Sequence, residues 1–351
     1  MQKEIRVLIV DDSALVRQIL TQALEIDPEI EVIGTASDPY MARDKIMRLK
    51  PNVLTLDVEM PRMDGIEFLK RLMPQYPIPV LMVSSSTERG EKRTIEALEA
   101  GAIDFITKPS SNLGYGLNRM VDELLDKVKT ISKVNVDGWK KLGYLQAAKS
   151  VKPVQSVAEP TRTLIAIGAS TGGTEALREA LTQLSPDTPG IIVVQHMPAG
   201  FTKKFAERLN EQCLMAVQEA KTGDQVERGK ILIAPGAFQT TVVRSGEKYF
   251  VECKKGKKVS GHMPSVDVLF QSIARTIGAN AIGIVLTGMG YDGADGLLAM
   301  KKAGARTMAQ DKATSIVYGM PKEAYERGGA DLQVPIQKIA GKIEAFVREK
   351  N

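Results

Sequence analysis

Two cysteines in 351 residues, Cys213 and Cys253, are too few and too far apart for a disulfide framework or a thiolate metal site. Histidine is equally scarce, with only His196 and His262, so any imidazole-dependent chemistry has two candidates. No apolar run approaches the ~18 residues of a membrane span. The opening MQKEIRVLIVDDS holds an apolar stretch too short for a secretory signal, and two aspartates stop it. A soluble, cytoplasmic protein is expected. Strong charge imbalance is missing as well: 47 Lys and Arg against 42 Asp and Glu give a net charge of +5. Such a mild excess suits an acidic partner surface and falls far short of a nucleic-acid-binding composition. The one dense basic run, Lys254 to Lys258 (KKGKK), reads as a solvated turn.

The length exceeds a typical single core and predicts two domains. In the first half, short β-rich runs alternate with amphipathic stretches. The β-rich runs are IRVLIV (5–10), EVIGTAS (31–37), NVLTLD (52–57), PVLMVSS (79–85) and DFITKP (104–109), with helical patterns from Ser13, from Asp38, over ERGEKRTIEALEAG and after DFITKP to about Thr130. Five strands alternating with helices imply a parallel sheet covered on both faces, in the flavodoxin-like arrangement. Domain boundaries are expected at 1–130 and 163–351. The stretch 131–162 between them, with Trp139, Gly138 and polar spacers, reads as a linker in which 140–148 could form a short helix.

In such a sheet the carboxyl ends of the strands converge. Asp11 and Asp12 end the first strand and Asp57 the third, so three mutually repelling carboxylates meet at one edge, a setting for a hard divalent cation. Ser84 closes the fourth strand and Lys108 the fifth, adding a hydroxyl and an ammonium suited to phosphoryl oxygens. Singly, each has a plain structural reading: Asp12-Ser13 as a helix cap, Asp57 as a strand-end turn. Together they imply attack by a carboxylate on a phosphoryl donor. VLIVDDS, LTLDVEMPRMDG and AIDFITKP resemble the response-regulator receiver family over about 4–125. That resemblance implies Asp57 as the phosphorylated residue, with Mg²⁺ held by Asp11, Asp12, Asp57 and the Glu59 carbonyl. It also implies phosphoryl contacts from Ser84 and Lys108, and Phe105 as an aromatic switch.

A second alternation begins at Thr163: TLIAIGAS, a helix from Thr174, IIVVQH, a helix from Ala199, and KILIAPG. It continues with a hairpin about Ser245-Gly246, a helix after Ser265, AIGIVLTGMG, a helix from Asp295 and a closing helix after Pro335. A doubly wound α/β domain is expected, and its first strand-to-helix turn carries a serine-hydrolase signature. Gly168-Ala169-Ser170-Thr171-Gly172 fits G-x-S-x-G between a strand and a helix, where glycines permit a tight turn that displays a serine hydroxyl. A helix cap would explain Ser170 equally well. His196 and Asp292 follow later strands, so nucleophile, base and orienting acid can converge. Asp187, in a Ser-Pro-Asp-Thr-Pro loop, is the weaker acid, and His262, in GHMPSVD, competes with His196 as base. The glycine-rich TGMG before Asp292 offers backbone N–H groups to an oxyanion.

GASTGG, VVQHMP, GHMPSVD and VLTGMGYDGA resemble the catalytic domain of the chemotaxis protein-glutamate methylesterases, across about 163–347. The resemblance implies Ser170, His196 and Asp292 as the triad, Met289 and Thr171 at the oxyanion hole, and His262 in support, without a cofactor in this domain. It implies demethylation of receptor glutamyl esters, deamidation of receptor glutamines, and a chemotaxis histidine kinase as phosphodonor. Two other readings compete. IGASTGGTEA also looks like a dinucleotide-binding turn, with Tyr318 and Lys322 mimicking a dehydrogenase pair. However, the next strand ends at Gln195-His196 rather than at a ribose-binding acid, and Gly319 and Pro321 break the helix that pair needs. A DNA-binding output would need a basic helix-turn-helix module, and nothing in the second half has that pattern.

Overall fold

The computed structural model describes residues 4–108, 115–134, 136 and 162–350. The chain divides into two compact units, with the division falling between Gln146 and Ala147. Most of 131–162, including the possible helix at 140–148, lies outside the described residues.

The first unit carries five strands: β1 (Ile5–Val10), β2 (Ile30–Ala36), β3 (Val53–Asp57), β4 (Val80–Ser84) and β5 (Asp104–Thr107). They form one parallel sheet in the order β2-β1-β3-β4-β5. Helices α1 (Ala14–Leu24), α2 (Pro39–Leu49), α3 (Gly65–Gln75), α4 (Glu88–Glu99) and α5 (Tyr115–Ile131) connect or follow the strands. β3 and β4 are buried along their whole length, as their apolar sequences require of strands covered on both faces. Ser13 caps α1 by accepting from the Val16 amide, so the plain reading of that serine holds. The strand order reverses at β1, and the crevice at a reversal is where ligands of such sheets bind.

The second unit holds a seven-stranded parallel sheet in the order β14-β13-β12-β6-β7-β9-β8. Its strands are β6 (Leu164–Ala169), β7 (Ile191–Gln195), β8 (Ala216–Glu219), β9 (Lys230–Ile233), β12 (Ala281–Val285), β13 (Arg306–Gln310) and β14 (Leu332–Val334). β10 (Gln239–Ser245) and β11 (Lys248–Lys254) pair separately as the expected antiparallel hairpin. The helices are α6 (Gly173–Leu181), α7 (Phe201–Asn210), α8 (Val266–Thr276), α9 (Ala294–Lys302), α10 (Met320–Glu326) and α11 (Ile336–Lys350).

Alternate residues of the central strands face opposite ways. Leu164, Ala166, Ile192 and Val194 join a core with Phe270, Leu297 and Met320 from α8, α9 and α10 and with Val251 of the hairpin. Ile165, Ile167 and Val193, on the other face, are buried as well. β6 sits between β7 and β12, so the strand that begins the domain lies where the winding reverses.

Three strands and one helix went unread in the sequence: β8, β13, α10 and β14. β8 and β14 are short strands at the two edges of the sheet, each with exposed positions. β13, RTMAQ, is buried after its exposed Arg306, yet two of its four buried positions are polar. α10 has Pro321 in its first turn. Tyr318 precedes α10, so Tyr318 and Lys322 do not share a helix.

Candidate functional site

Each unit gathers its chemistry at the carboxyl edge of its sheet. In the first, Lys108 places its Nζ 2.7 Å from Asp57 Oδ2 and 3.0 Å from Asp11 Oδ2. Carboxylate oxygens of Asp11, Asp12 and Asp57 all lie within 4.8 Å of one another, with Asp11 and Asp57 buried and Asp12 exposed. One ammonium cannot neutralise three carboxylates. Burial pushes the Asp57 carboxyl up to about 6, despite the Lys108 bond that favours its charged form. Burial also raises Asp11, against the attraction of Lys108. An all-oxygen set with excess negative charge fits a hard divalent cation.

The other expected members are placed as follows. Glu59 donates its amide to Asp57 Oδ1 at 3.2 Å, and its exposed side chain pairs with Arg89. Ser84 is fully buried, accepting from Thr94 Oγ1 at 2.6 Å and donating to the Gly90 carbonyl. Phe105 is buried, and its carbonyl accepts from Lys127 Nζ at 2.6 Å.

The raised Asp57 carboxyl is a cost of building the site. A folded-state pKa above the unfolded value means stability falls as pH rises between the two. The difference, from 3.8 to about 6, corresponds to roughly 3 kcal/mol at most. Asp57→Asn is therefore expected to raise the melting temperature of this unit in metal-free protein near neutral pH, with little gain near ~pH 4, where wild type is already protonated there. Calorimetry at the two pH values checks this, and an equal effect at both would contradict the electrostatic cause.

In the second unit, Ser170 directly follows β6. Its amide donates to the Thr287 carbonyl at 3.0 Å, and its carbonyl accepts from the Gly173 amide at 2.7 Å. The cap of α6 is Gly172, at φ 75°, and no side chain caps that helix. Ser170 is thus not a helix cap, which removes its plain reading. Gly172 adopts the left-handed backbone that a side chain disfavours. Gln195, the last residue of β7, donates its Nε2 to the Ser170 carbonyl at 2.9 Å and fixes the turn from the neighbouring strand.

His196 follows β7, and its amide bonds the Ala169 carbonyl at 3.1 Å. Ala169 pairs in register with Gln195, so Ser170 and His196 leave adjacent strands at the same level. His196 Nε2 lies 2.8 Å from Asp292 Oδ2. Asp292 is 1% exposed. It also accepts from Ser265 Oγ at 2.8 Å, the Val266 amide at 2.7 Å and the Asp267 amide at 3.1 Å.

The Asp292 carboxylate therefore sits on the N-terminus of α8, where unpaired amides and the helix dipole favour negative charge. Burial opposes ionisation, but the His196 bond and these amides outweigh it and hold Asp292 below the ordinary carboxylate range. Such close approach needs Gly168: a Cβ there would lie 2.3 Å from Val266 Cγ1. With Nε2 committed to Asp292, the ring's acceptor is Nδ1, which is buried and has no hydrogen-bond partner among the described residues.

His262 stacks face to face on His196, ring centroids 3.6 Å apart and planes 8° from parallel. Both histidines thus belong to one assembly, and His196 is the one that reaches Asp292. Asp187 is exposed and bonds Arg228 through its carbonyl. Met289 lies in the turn after β12, whose Gly288 amide bonds the Val317 carbonyl, and Thr171 follows Ser170. Ser265, Gln195 and Asp267 were not foreseen as site residues. Only Ser265 gave a signal, as the start of a helix, and it does cap α8.

Comparisons with known proteins give the family of the chain. The family model described as CheB methylesterase matches residues 165–343, and the response regulator receiver domain model matches 7–113. The chain belongs to the CheB methylesterase family. A "Protein-glutamate methylesterase/protein-glutamine glutaminase" of Syntrophotalea carbinolica is 56% identical, covering 100% of this chain and 99% of the relative. One of the same name from Sulfurimonas denitrificans is 53% identical, covering 99% of each. The crystal structure of the Thermotoga maritima CheB methylesterase catalytic domain is 37% identical, with a TM-score of 0.52, and covers 54% of this chain and 100% of that one. No helix among the described residues is long and apolar enough to cross a membrane.

Proposed function

We propose that this chain is a phosphorylation-activated hydrolase that removes methyl groups from glutamyl methyl esters of chemotaxis receptors and deamidates receptor glutamines. The observation that carries the catalytic half is the His196–Asp292 pair, 2.8 Å apart, seated on α8 beside a turn whose serine caps no helix. Ser170 Oγ attacks the ester carbonyl while His196 Nδ1 takes its proton. Asp292, held ionised by α8, stabilises the imidazolium and fixes the tautomer with the proton on Nε2. Backbone N–H groups of Met289 and Thr171 are assigned to the oxyanion. Protonation of the leaving oxygen by His196 releases methanol, and water activated by the same ring hydrolyses the acyl-enzyme to a glutamate. On a glutamine the leaving group is ammonia, and the remaining steps are the same.

The receiver half takes a phosphoryl group from a chemotaxis histidine kinase. Asp57 is the nucleophile, Lys108 and Ser84 meet the phosphoryl oxygens, and Asp11, Asp12, Asp57 and the Glu59 carbonyl would hold Mg²⁺. When bound, Mg²⁺ offsets the charge of the carboxylates and of the incoming phosphoryl group. The assigned limits are 1–130 for the receiver, 131–162 for the linker and 163–351 for the catalytic domain, in a cytoplasmic protein. The direct test is methanol release from methylated receptor, with and without a small-molecule phosphodonor. Absence of release in both conditions would reject the reading.

His262 supports the base through its ring face, stacked on His196. A stacked aromatic pair contributes ~0.5–1.5 kcal/mol beyond area burial. His262→Ala is therefore expected to lower kcat/KM about 2–10-fold, and His262→Phe, which keeps a flat ring, to recover most of it. Steady-state rates of the two variants decide it: equal losses would remove stacking as the cause.

A further inference from the structure

The lysine run reads from sequence as a solvated turn, and the structure folds it into the loop that carries His262, the ring stacked on His196. β11 ends at Lys254, and residues 254–259 are exposed. The chain then reaches His262 within four residues of Lys258 and closes a tight loop on itself. The Val259 and His262 amides each bond the other's carbonyl, at 3.1 and 2.9 Å. One buried side chain anchors the loop. Gln239 Nε2 donates to the Lys257 carbonyl at 3.0 Å and to the His262 carbonyl at 3.1 Å. Gln239 Oε1 accepts from the Ser265 amide at 2.9 Å. The same residue thus ties the lysines, the ring stacked on His196 and the serine bonded to Asp292. Lys254 pairs with Glu252 at 2.8 Å. Among the described residues neither Lys255 nor Lys257 is in an ion pair.

We infer that the Lys254–Lys258 loop is a docking strip for carboxylates flanking the scissile ester on the substrate protein. The inference rests on the esterase reading, whose chemistry supplies the complementarity. A segment that carries several modifiable glutamyl groups gains a carboxylate at each one already hydrolysed or deamidated. Such a segment is increasingly acidic, and the loop that meets it is tied through Gln239 to His262, the ring stacked on His196. Exposed lysines attract it over about a Debye length, ~8 Å at physiological salt. Rim charges of this kind govern encounter and salt dependence rather than the chemical step. The loop therefore acts on KM for the protein substrate and not on bond cleavage.

The test uses the full-length chain carrying Lys255→Glu and Lys257→Glu together. It is assayed on methylated receptor and on glutamic acid γ-methyl ester, a substrate too small to reach the strip. At low salt, kcat/KM on the receptor is expected to fall about tenfold, chiefly through KM. The deficit is expected to shrink to about twofold near ~0.5 M salt, where screening removes the attraction. Hydrolysis of the small ester stays at the wild-type rate, and Lys255→Arg with Lys257→Arg keeps wild-type kinetics on both. Unchanged kcat/KM on the receptor at low salt overturns the docking strip, as does an equal loss on the small ester. If instead duplex DNA competes with the receptor in wild type and not in the Glu variant, while the Glu variant demethylates receptor normally, the strip serves phosphates and the inference is wrong. A wild-type chain that cleaves neither ester refutes the esterase reading itself, and the inference falls with it.

Discussion

Ser170→Ala is expected to abolish methanol release while leaving the fold intact. The substitution removes one oxygen from a half-buried side chain. It leaves the backbone bonds of the turn, to Thr287 and from Gly173, and the Gln195 clamp. What disappears is the atom proposed to form the acyl-enzyme. His196→Ala removes the proposed base, whose help contributes typically ~10²–10⁴-fold. If both residues serve one proton transfer, as proposed, the double variant is expected to be no slower than the worse single one. Asp292→Asn is a poorer probe. The Asp292 carboxylate also accepts from Ser265, Val266 and Asp267. An amide there would turn an N–H toward donors and unsettle the start of α8 as well as the tautomer. Near-normal turnover by His196→Ala, together with an inactive His262→Ala, would reverse the assignment of base and support.

The sequence made the strands at the centre of each sheet readable, because LIAIGA, IIVVQ and AIGIV are apolar on both faces and the structure buries them on both. Residues at the ends of those strands were readable for the same reason. Once a parallel sheet is inferred, its carboxyl edge collects Asp11, Asp57 and Lys108 in one unit and Ser170 and His196 in the other. The periodicity did not extend to β13, whose buried Thr307 and Gln310 side chains bond Asp331 and Thr314.

Spacing also could not separate the two histidines, since the loop that folds His262 back onto His196 is held by Gln239, a residue 23 positions away. Gln239, Gln195 and Ser265 are single polar residues with distant partners. No local pattern marks them, because the bonds that give them a role exist only after the chain has folded.

Asp57→Asn is expected to take up no phosphoryl group from acetyl phosphate, and its esterase rate is expected to stay basal with or without the phosphodonor. Wild type with Mg²⁺ is expected to be labelled and stimulated, and chelation is expected to remove both effects. Lys108 lies 2.7 Å from Asp57 Oδ2, within reach of an acyl phosphate if one forms there as proposed. A phosphoaspartate brings further negative charge to a pocket with one ammonium, so it draws on the remaining donors nearby. Ser84 ends β4 at that edge, its hydroxyl now bonded to Thr94 and the Gly90 carbonyl of α4. Recruiting it to the phosphoryl group breaks those bonds and shifts the balance at the start of α4. That is a local charge event coupled to a packed element, the usual form of such switches.

A coupling of ~1–3 kcal/mol would stimulate the esterase about 5–150-fold. Ser84→Ala is then expected to accept the label and lose much of the stimulation, which separates phosphorylation from its consequence. Equal labelling of wild type and Asp57→Asn would refute the site. Full stimulation of Ser84→Ala would refute the route through α4 while leaving Asp57 as the acceptor.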